Sequence, residues 1–285
     1  MKFASILAFG AALSGVNAAL KGFNLAGHLA SGACRTENDW QLAFERLQTL
    51  PGGFPNVRLY ASGDCDTLKN AVPAALRTGT KLLVGVWTQD ANKFENEKQA
   101  LLQAVQQHGH DWILAVSVGS EDLYRQETNA DFLAQQIWDV RGMLWSVGAS
   151  PTIGHVDTWT AWVDPANKAV IDAVDWIGND AYAYFEGIDN GDAKNAYYEA
   201  HDKVVAVSGG KEVWTTETGW PISGATIGAS FPSVNNLQKF WWDVACGSIA
   251  SNINIFWYIL DDFADNPSFA VLDYYYNPLI DMSCS

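Results

Sequence analysis

The run Ile113-Leu114-Ala115-Val116-Ser117-Val118-Gly119-Ser120-Glu121-Asp122 alternates bulky apolar residues with small ones and then ends in acids. Side chains of a strand alternate faces, so Leu114, Val116 and Val118 share one side while Ala115, Ser117, Gly119 and Glu121 share the other. That pattern suits the wall of a closed parallel barrel. The branched residues pack outward on helices, the small ones leave room inside, and the carboxylate emerges at the rim.

Working outward, similar β-like runs recur about every thirty residues: Lys21–Gly27, Asn56–Ser62, Lys81–Thr88, Trp112–Gly119, Pro151–Trp159, Asp175–Tyr184, Glu212–Glu217 and Asn252–Ile259. Helix-patterned segments fall between them, at Thr36–Leu50, Asp64–Thr78, Glu95–His108, Asn129–Val147, Pro165–Ala173, Ala193–Ser208 and Val234–Ser248. Strand–helix alternation predicts parallel strands with helical crossovers. Eight such units over residues 19–285 predict a single α/β domain, a (β/α)8 or TIM barrel, which typically takes roughly 250 residues. A doubly wound sheet competes, but no pair of glycines is spaced G-x-G, so its dinucleotide fingerprint is missing. No linker, low-complexity tract or charge block suggests a second domain.

The seventh run, Val213-Trp214-Thr215-Thr216-Glu217-Thr218-Gly219-Trp220-Pro221, delivers a second acid and then stops at Gly and Pro. Alternation predicts Val213, Thr215 and Glu217 inside. A lone Glu at a strand end is most often a solvated surface residue. Glu121 and Glu217 change the weighing, because strands four and seven lie nearly opposite in an eight-strand ring and barrel enzymes work at the C-terminal ends of their strands. Two carboxyls facing one bond can act as proton donor and nucleophile on a glycosidic linkage, and an indole can stack on a pyranose. A gap of about 5–5.5 Å gives retention and one of about 6.5–9.5 Å inversion. The donor needs a raised pKa, which burial and the partner's charge would provide.

Composition narrows the partner. The chain of 285 residues is 48% hydrophobic and 17% charged, ample for one core, with a net charge of -15 and pI near 4.5. Nucleic acid and anionic membranes reward basic patches, so neither is expected; a neutral polymer is. Among 13 Trp, most of which fill core, Trp159, Trp162, Trp220 and Trp257 fall at or just after strand ends, where a groove would be lined. Residues 1–18 read as a secretory signal peptide, with Lys2, an apolar run Phe3–Leu13 too short to span a membrane, and a small-x-small ending at Ala18. Residues 19–285 would be the mature domain, secreted to the medium or wall.

Four cysteines in a secreted chain predict two disulfides. Three pairings exist; Cys34–Cys65 and Cys246–Cys284 are favoured as local staples. No CxxC or HExxH spacing occurs, the five histidines form no metal pattern, and G-x-S-x-G is absent. No metal or other cofactor is expected. Arg58, on the second strand, is either a packed stem with a solvated head or an inward donor that keeps Glu217 ionised.

Val116–Glu121, Asn179-Asp180-Ala181-Tyr182-Ala183-Tyr184-Phe185, Thr216-Glu217-Thr218-Gly219-Trp220-Pro221 and Val57-Arg58-Leu59-Tyr60 together resemble the signature strands of glycoside hydrolase family 17, the fungal and plant β-1,3-glucanases. The resemblance spans the mature chain in strand order. It implies a retaining mechanism with Glu121 as acid/base and Glu217 as nucleophile, acting on β-1,3-glucan. It also implies that Tyr60 and Tyr182 line the subsite at the scissile bond, that Trp220 and the Phe256-Trp257-Tyr258 run shape the groove, and that Asp261-Asp262 is the family's acidic pair after strand eight. Two departures stand out. Ser120 occupies the place of an Asn that binds the sugar 2-hydroxyl, and Ala183 that of a Pro.

The expected protein is thus a secreted, monomeric, cofactor-free endo-1,3-β-glucanase working by double displacement. A β-1,3-glucanosyltransferase would use the same intermediate. A non-catalytic glucan-binding wall protein and a hydrolase of another neutral glycan such as β-mannan are the other readings.

Overall fold

The structure, a computed structural model, describes residues 18–262 and 266–284, so the signal-peptide reading of residues 1–18 lies almost wholly outside it. Eight parallel strands close into a barrel in sequence order. They are β1 Lys21–Leu25, β2 Asn56–Leu59, β3 Lys81–Val86, β4 Ile113–Ser120, β5 Ile153–Thr158, β6 Trp176–Asp180, β7 Val213–Glu217 and β8 Ile255–Trp257. Each predicted run contains its strand, apart from a one-residue extension of β4.

The helices are α1 Glu37–Thr49, α2 Thr67–Thr78, α3 Ala91–His108, α4 Ala130–Ser146, α5 Trp159–Trp162, α6 Lys168–Ala173, α7 Ala193–Val207, α8 Val234–Phe240 and α9 Gly247–Ala250. A π turn, Trp241–Cys246, joins α8 to α9 where the sequence predicts one helix. Side-chain caps fix several starts: Thr36 and Asp39 form a reciprocal capping box on α1, and Asn129 accepts from Phe132 N at the head of α4.

Two apolar layers result. The larger fills the space between barrel and helices and includes Val116, Val118, Leu133, Ile137 and Val140. The smaller plugs the barrel with Leu83, Ala115, Val156, Trp176, Trp214 and Phe256. Trp176 and Trp214 stack with centroids 4.3 Å apart. Gly154 leaves space for that stack, since any Cβ there would overlap the Trp176 indole. The plug is a floor, and the C-terminal rim above it remains open to chemistry.

Strict alternation fails on both acid-bearing strands. Trp214 belongs to the interior plug, whereas Val213 packs in the outer layer and the Thr215 hydroxyl meets Tyr197 of α7. Val213 and Thr215 therefore face the helices, opposite to the expectation. Between β6 and β7 the register then slips, Asn179 pairing with Thr215 and Asp180 with Glu217, so one extra residue turns Glu217 back inside. On β4 the same happens between Ser117 and Ser120, which pair with Gly154 and Val156. Bulges of this kind re-aim side chains near active sites.

Two disulfides, Cys34–Cys65 and Cys246–Cys284, tie the chain, and these are the pairs favoured from the sequence. His28 Nε2 lies 3.0 Å from Cys65 Sγ, but sulfurs bonded to each other offer no thiolate to a metal. No helix among the described residues is long and apolar enough to cross a membrane.

Candidate active site

Glu217 ends β7 inside the mouth of the barrel. Arg58 on β2 donates from Nη1 to its Oε1 at 2.5 Å, and the Tyr182 hydroxyl donates to its Oε2 at 2.7 Å. Both carboxylate oxygens are thus committed to donors, which fixes the direction of the side chain. Arg58 is buried, with 1% of its side chain exposed, and is itself held by Asn24 Oδ1 at 2.8 Å and Ser120 Oγ at 3.1 Å. Asn24 in turn donates to the carbonyls of Thr216, Phe256 and Trp257. Burial works against the guanidinium charge, but Glu217 and Asp180 outweigh it and hold Arg58 firmly cationic.

Glu121 follows β4 in the left-handed region, φ 58°. Its amide donates to Val156 O of β5 at 2.8 Å, and its Oε2 accepts from Arg125 at 2.6 Å. Burial and then the charge of Glu217 push its pKa up to about 6, against the pull of Arg125. Glu121 and Glu217 line one cavity of about 680 Å³ together with Tyr124, Trp159, Asp180, Tyr182, Phe185, Tyr258 and Phe269, among others. Trp159 is fixed by a 2.7 Å bond from Nε1 to Glu186. One carboxyl prone to carry a proton, one with both oxygens on donors, and aromatic walls are what a glycosidic bond needs.

The other sequence-predicted residues divide. Tyr182 reaches the site, and burial, then Glu217, raises its pKa so that it stays a phenol donor. Tyr60 lays its ring against Arg58, 4.7 Å from guanidinium to centroid. Ser120 Oγ accepts from Arg58 Nη2, so its oxygen is shared with the arginine that holds Glu217. Trp220 and Trp257 are not groove residues. They are 0% and 1% exposed, with Trp220 bonded to Phe231 O and Trp257 packed on Trp241 and Phe240. A strand-end Trp can point backward into the helix layer as easily as forward, and core filling wins here. Asp261 is also displaced. It pairs with buried Arg35 at 2.5 Å, accepts from Tyr276, and borders a separate cavity with Leu29, Leu42 and Tyr274.

Several cavity residues were missed, among them Tyr124, Phe269 and the ionisable Asp180. Asp180, opposite Glu217 in the β6–β7 register, is 2% exposed and accepts from the Thr216 hydroxyl, while its Oδ2 has no partner. Burial and the neighbouring Glu217 push it well above the ordinary carboxylate range. Its signal was its place beside Tyr182, one residue after the buried Asn179.

A closed (β/α)8 barrel with paired carboxyls at its aromatic rim defines a glycoside hydrolase of the barrel type. The chain belongs to the BtgE/BtgC glycoside hydrolase family, whose domain matches residues 22–275. Among its relatives, "Probable glucan endo-1,3-beta-glucosidase eglC" of Aspergillus fumigatus is 39% identical over all of this chain and 70% of its own length. "Glucan 1,3-beta-glucosidase" of Schizosaccharomyces pombe is 33% identical over 80% of this chain and 73% of its own. A β-1,3-glucanosyltransferase of Rhizomucor miehei, an active-site mutant in complex with laminaritriose, superposes with TM-score 0.82 at 25% identity, covering 93% of this chain and 98% of that one. Another structure of that transferase is described as glycoside hydrolase family 17, in agreement with the resemblance drawn from the sequence.

Proposed function

We propose that the chain is a secreted, monomeric β-1,3-glucanase of the retaining type, with Glu217 as nucleophile and Glu121 as acid/base. The observation that carries this reading is the contrast between two carboxyls on one cavity. Glu217 has both oxygens on donors, while Glu121 is pushed up to about 6 by burial and by the charge of Glu217.

In the first step Glu217 attacks the anomeric carbon. The bond to the leaving oxygen breaks, and Glu121 gives that oxygen its proton, leaving a glycosyl ester on Glu217. In the second step Glu121, now a carboxylate, takes a proton from water, whose oxygen displaces Glu217 from the anomeric carbon. Arg58 and Tyr182 disperse the charge that returns to Glu217. The net change is hydrolysis with the anomeric configuration kept. The substrate class follows from the names carried by the relatives, and the acidic, aromatic character of the cavity agrees with a neutral sugar chain.

Tyr124, Trp159 and Phe185 on the cavity wall favour a second reading, in which a stacked sugar supplies the second hydroxyl and the outcome is transfer. Laminari-oligosaccharides with products followed by NMR and mass spectrometry separate these outcomes. A β-configured first product supports the reading, and an α-configured one overturns it. Oligosaccharides longer than the substrate mark transfer; binding without turnover would return the chain to the glucan-binding class.

A further inference from the structure

His155 and Asp157 lie on β5 facing away from the barrel interior, while Gly154 and Val156 face it. His155 is completely buried. Its Nδ1 is 2.7 Å from the carbonyl oxygen of Val118, and its Nε2 is 3.0 Å from Asp157 Oδ2. A carbonyl oxygen can only accept. Asp157 also accepts from Leu123 N at 3.0 Å, Tyr124 N at 3.3 Å and Thr158 N at 2.8 Å, so its oxygens face donors on every side. A neutral imidazole has one N–H and one lone pair, and a lone pair would face an acceptor at either position.

We propose that His155 is a permanently doubly protonated imidazolium and that, paired with Asp157, it is the positioning device for the acid/base Glu121. The inference rests on the function proposed above for Glu121. Four backbone groups around the acid are bound to β5: Val118 O by His155, Glu121 N by Val156 O, and Leu123 N and Tyr124 N by Asp157. Glu121 sits between them at φ 58°, a conformation that a non-glycine residue holds only when its neighbours impose it.

The groups facing the ring are few. Asp157 comes from its own strand, Asp122 and the Val118 carbonyl come from β4 and its turn, and the Trp162 ring of α5 packs edge-on with centroids 5.5 Å apart. Asp122 is anchored in turn by the Thr88 hydroxyl. Burial opposes the charge on His155, and the bond and charge of Asp157 with the charge of Asp122 outweigh it, so the ring titrates above the ordinary histidine range. His201, the other buried histidine, is pushed down mainly by burial, with Asp202 opposing, and provides an internal contrast.

The test uses the mature, oxidised protein labelled with 15N in its five histidines. We expect one ring to keep two N–H groups from pH 5 to about 7.5, above the ordinary histidine pKa of about 6.5. If no ring does so at pH 7.5, the imidazolium is overturned. Kinetics of His155→Gln and Asp157→Asn then read the positioning role. On laminarin kcat/KM should fall by about a hundredfold, the scale of a misplaced catalytic group, while kcat/KM for 2,4-dinitrophenyl β-laminaribioside, which reads a first step that needs no proton donor, should lose no more than roughly threefold. Equal losses of kcat/KM on both substrates would reduce the pair to a fold-stabilising role and sink the positioning claim. A wild-type protein inert on both substrates would overturn the proposed function, and the count of ring N–H groups would still decide the histidine.

Discussion

At the scale of single residues, the roles proposed for the two acids separate by leaving group. Glu217→Ala should abolish turnover of every substrate, because no nucleophile remains. Glu121→Ala should lose about 10²–10⁴-fold on laminarin, the usual worth of a general acid, yet keep activity on activated aryl glycosides. Steady-state rates on the two substrates check both. The pH profile has a definite sign. Glu121 must be protonated to donate, so activity on laminarin should fall as pH rises through about 6, and the residual laminarin activity of Glu121→Gln should lack that limb. Stability follows the same proton. The folded chain holds it between the ordinary 4.5 and about 6, where the unfolded chain has released it, so stability is lost as pH rises through that window. Glu121→Gln should therefore stabilise the protein by up to about 2 kcal/mol at pH 7.5, less the Arg125 pair, and by nothing at pH 4. Thermal melts at the two pH values would show it. Arg58→Ala carries the opposite expectation. It strands a buried carboxylate and should cost about 3–5 kcal/mol.

At the scale of the element, the lesson concerns how far alternation can be trusted. The existence and order of all eight strands could be read from apolar runs spaced by helices, because burial on both faces demands such runs. The rim position of Glu121 and Glu217 was legible too. The route to it was not. On β7 the acid points inward through a register slip after Thr215, and Val213 and Thr215 point outward. Counting by twos reached the right end from the wrong side, since a bulge leaves no mark in the hydrophobic pattern. Gly119 makes the β4 bulge feasible. Its φ of 78° and the Asp122 carboxylate beside it leave no place for a methyl group. Gly119→Ala should lower stability by about 1–3 kcal/mol and depress activity on laminarin through Glu121, measurable by denaturant unfolding alongside assay. The tryptophans were illegible for a different reason: stacking on sugar and filling a core select the same side chain, and Trp220 and Trp257 serve the core.

At the scale of the whole molecule, the barrel divides its tasks by height. The Trp176–Trp214 stack and Phe256 close the interior, the paired acids and Arg58 occupy the mouth, and the disulfides hold the periphery. Cys34–Cys65 joins the segment after β1 to the one after β2, and Cys246–Cys284 joins the end of the π turn to the C-terminal segment. No cysteine is among the residues around the catalytic cavity. A cross-link of this span stabilises chiefly by limiting the unfolded chain, at about 3–4 kcal/mol each for separations of 31 and 38 residues. The chain should therefore tolerate loss of one bridge at ordinary temperature with its rate on laminarin intact, while its melting temperature drops. Replacing both members of each pair by serine, one pair at a time, separates the contributions. If either double variant loses laminarin activity while still folded by circular dichroism, that bridge shapes the site, and the division between a rigid catalytic mouth and a stapled periphery fails. Cys246–Cys284 is the more informative of the two, because its π turn packs Trp241 against Trp257, the last residue of β8, and the next residue, Tyr258, stands on the cavity wall.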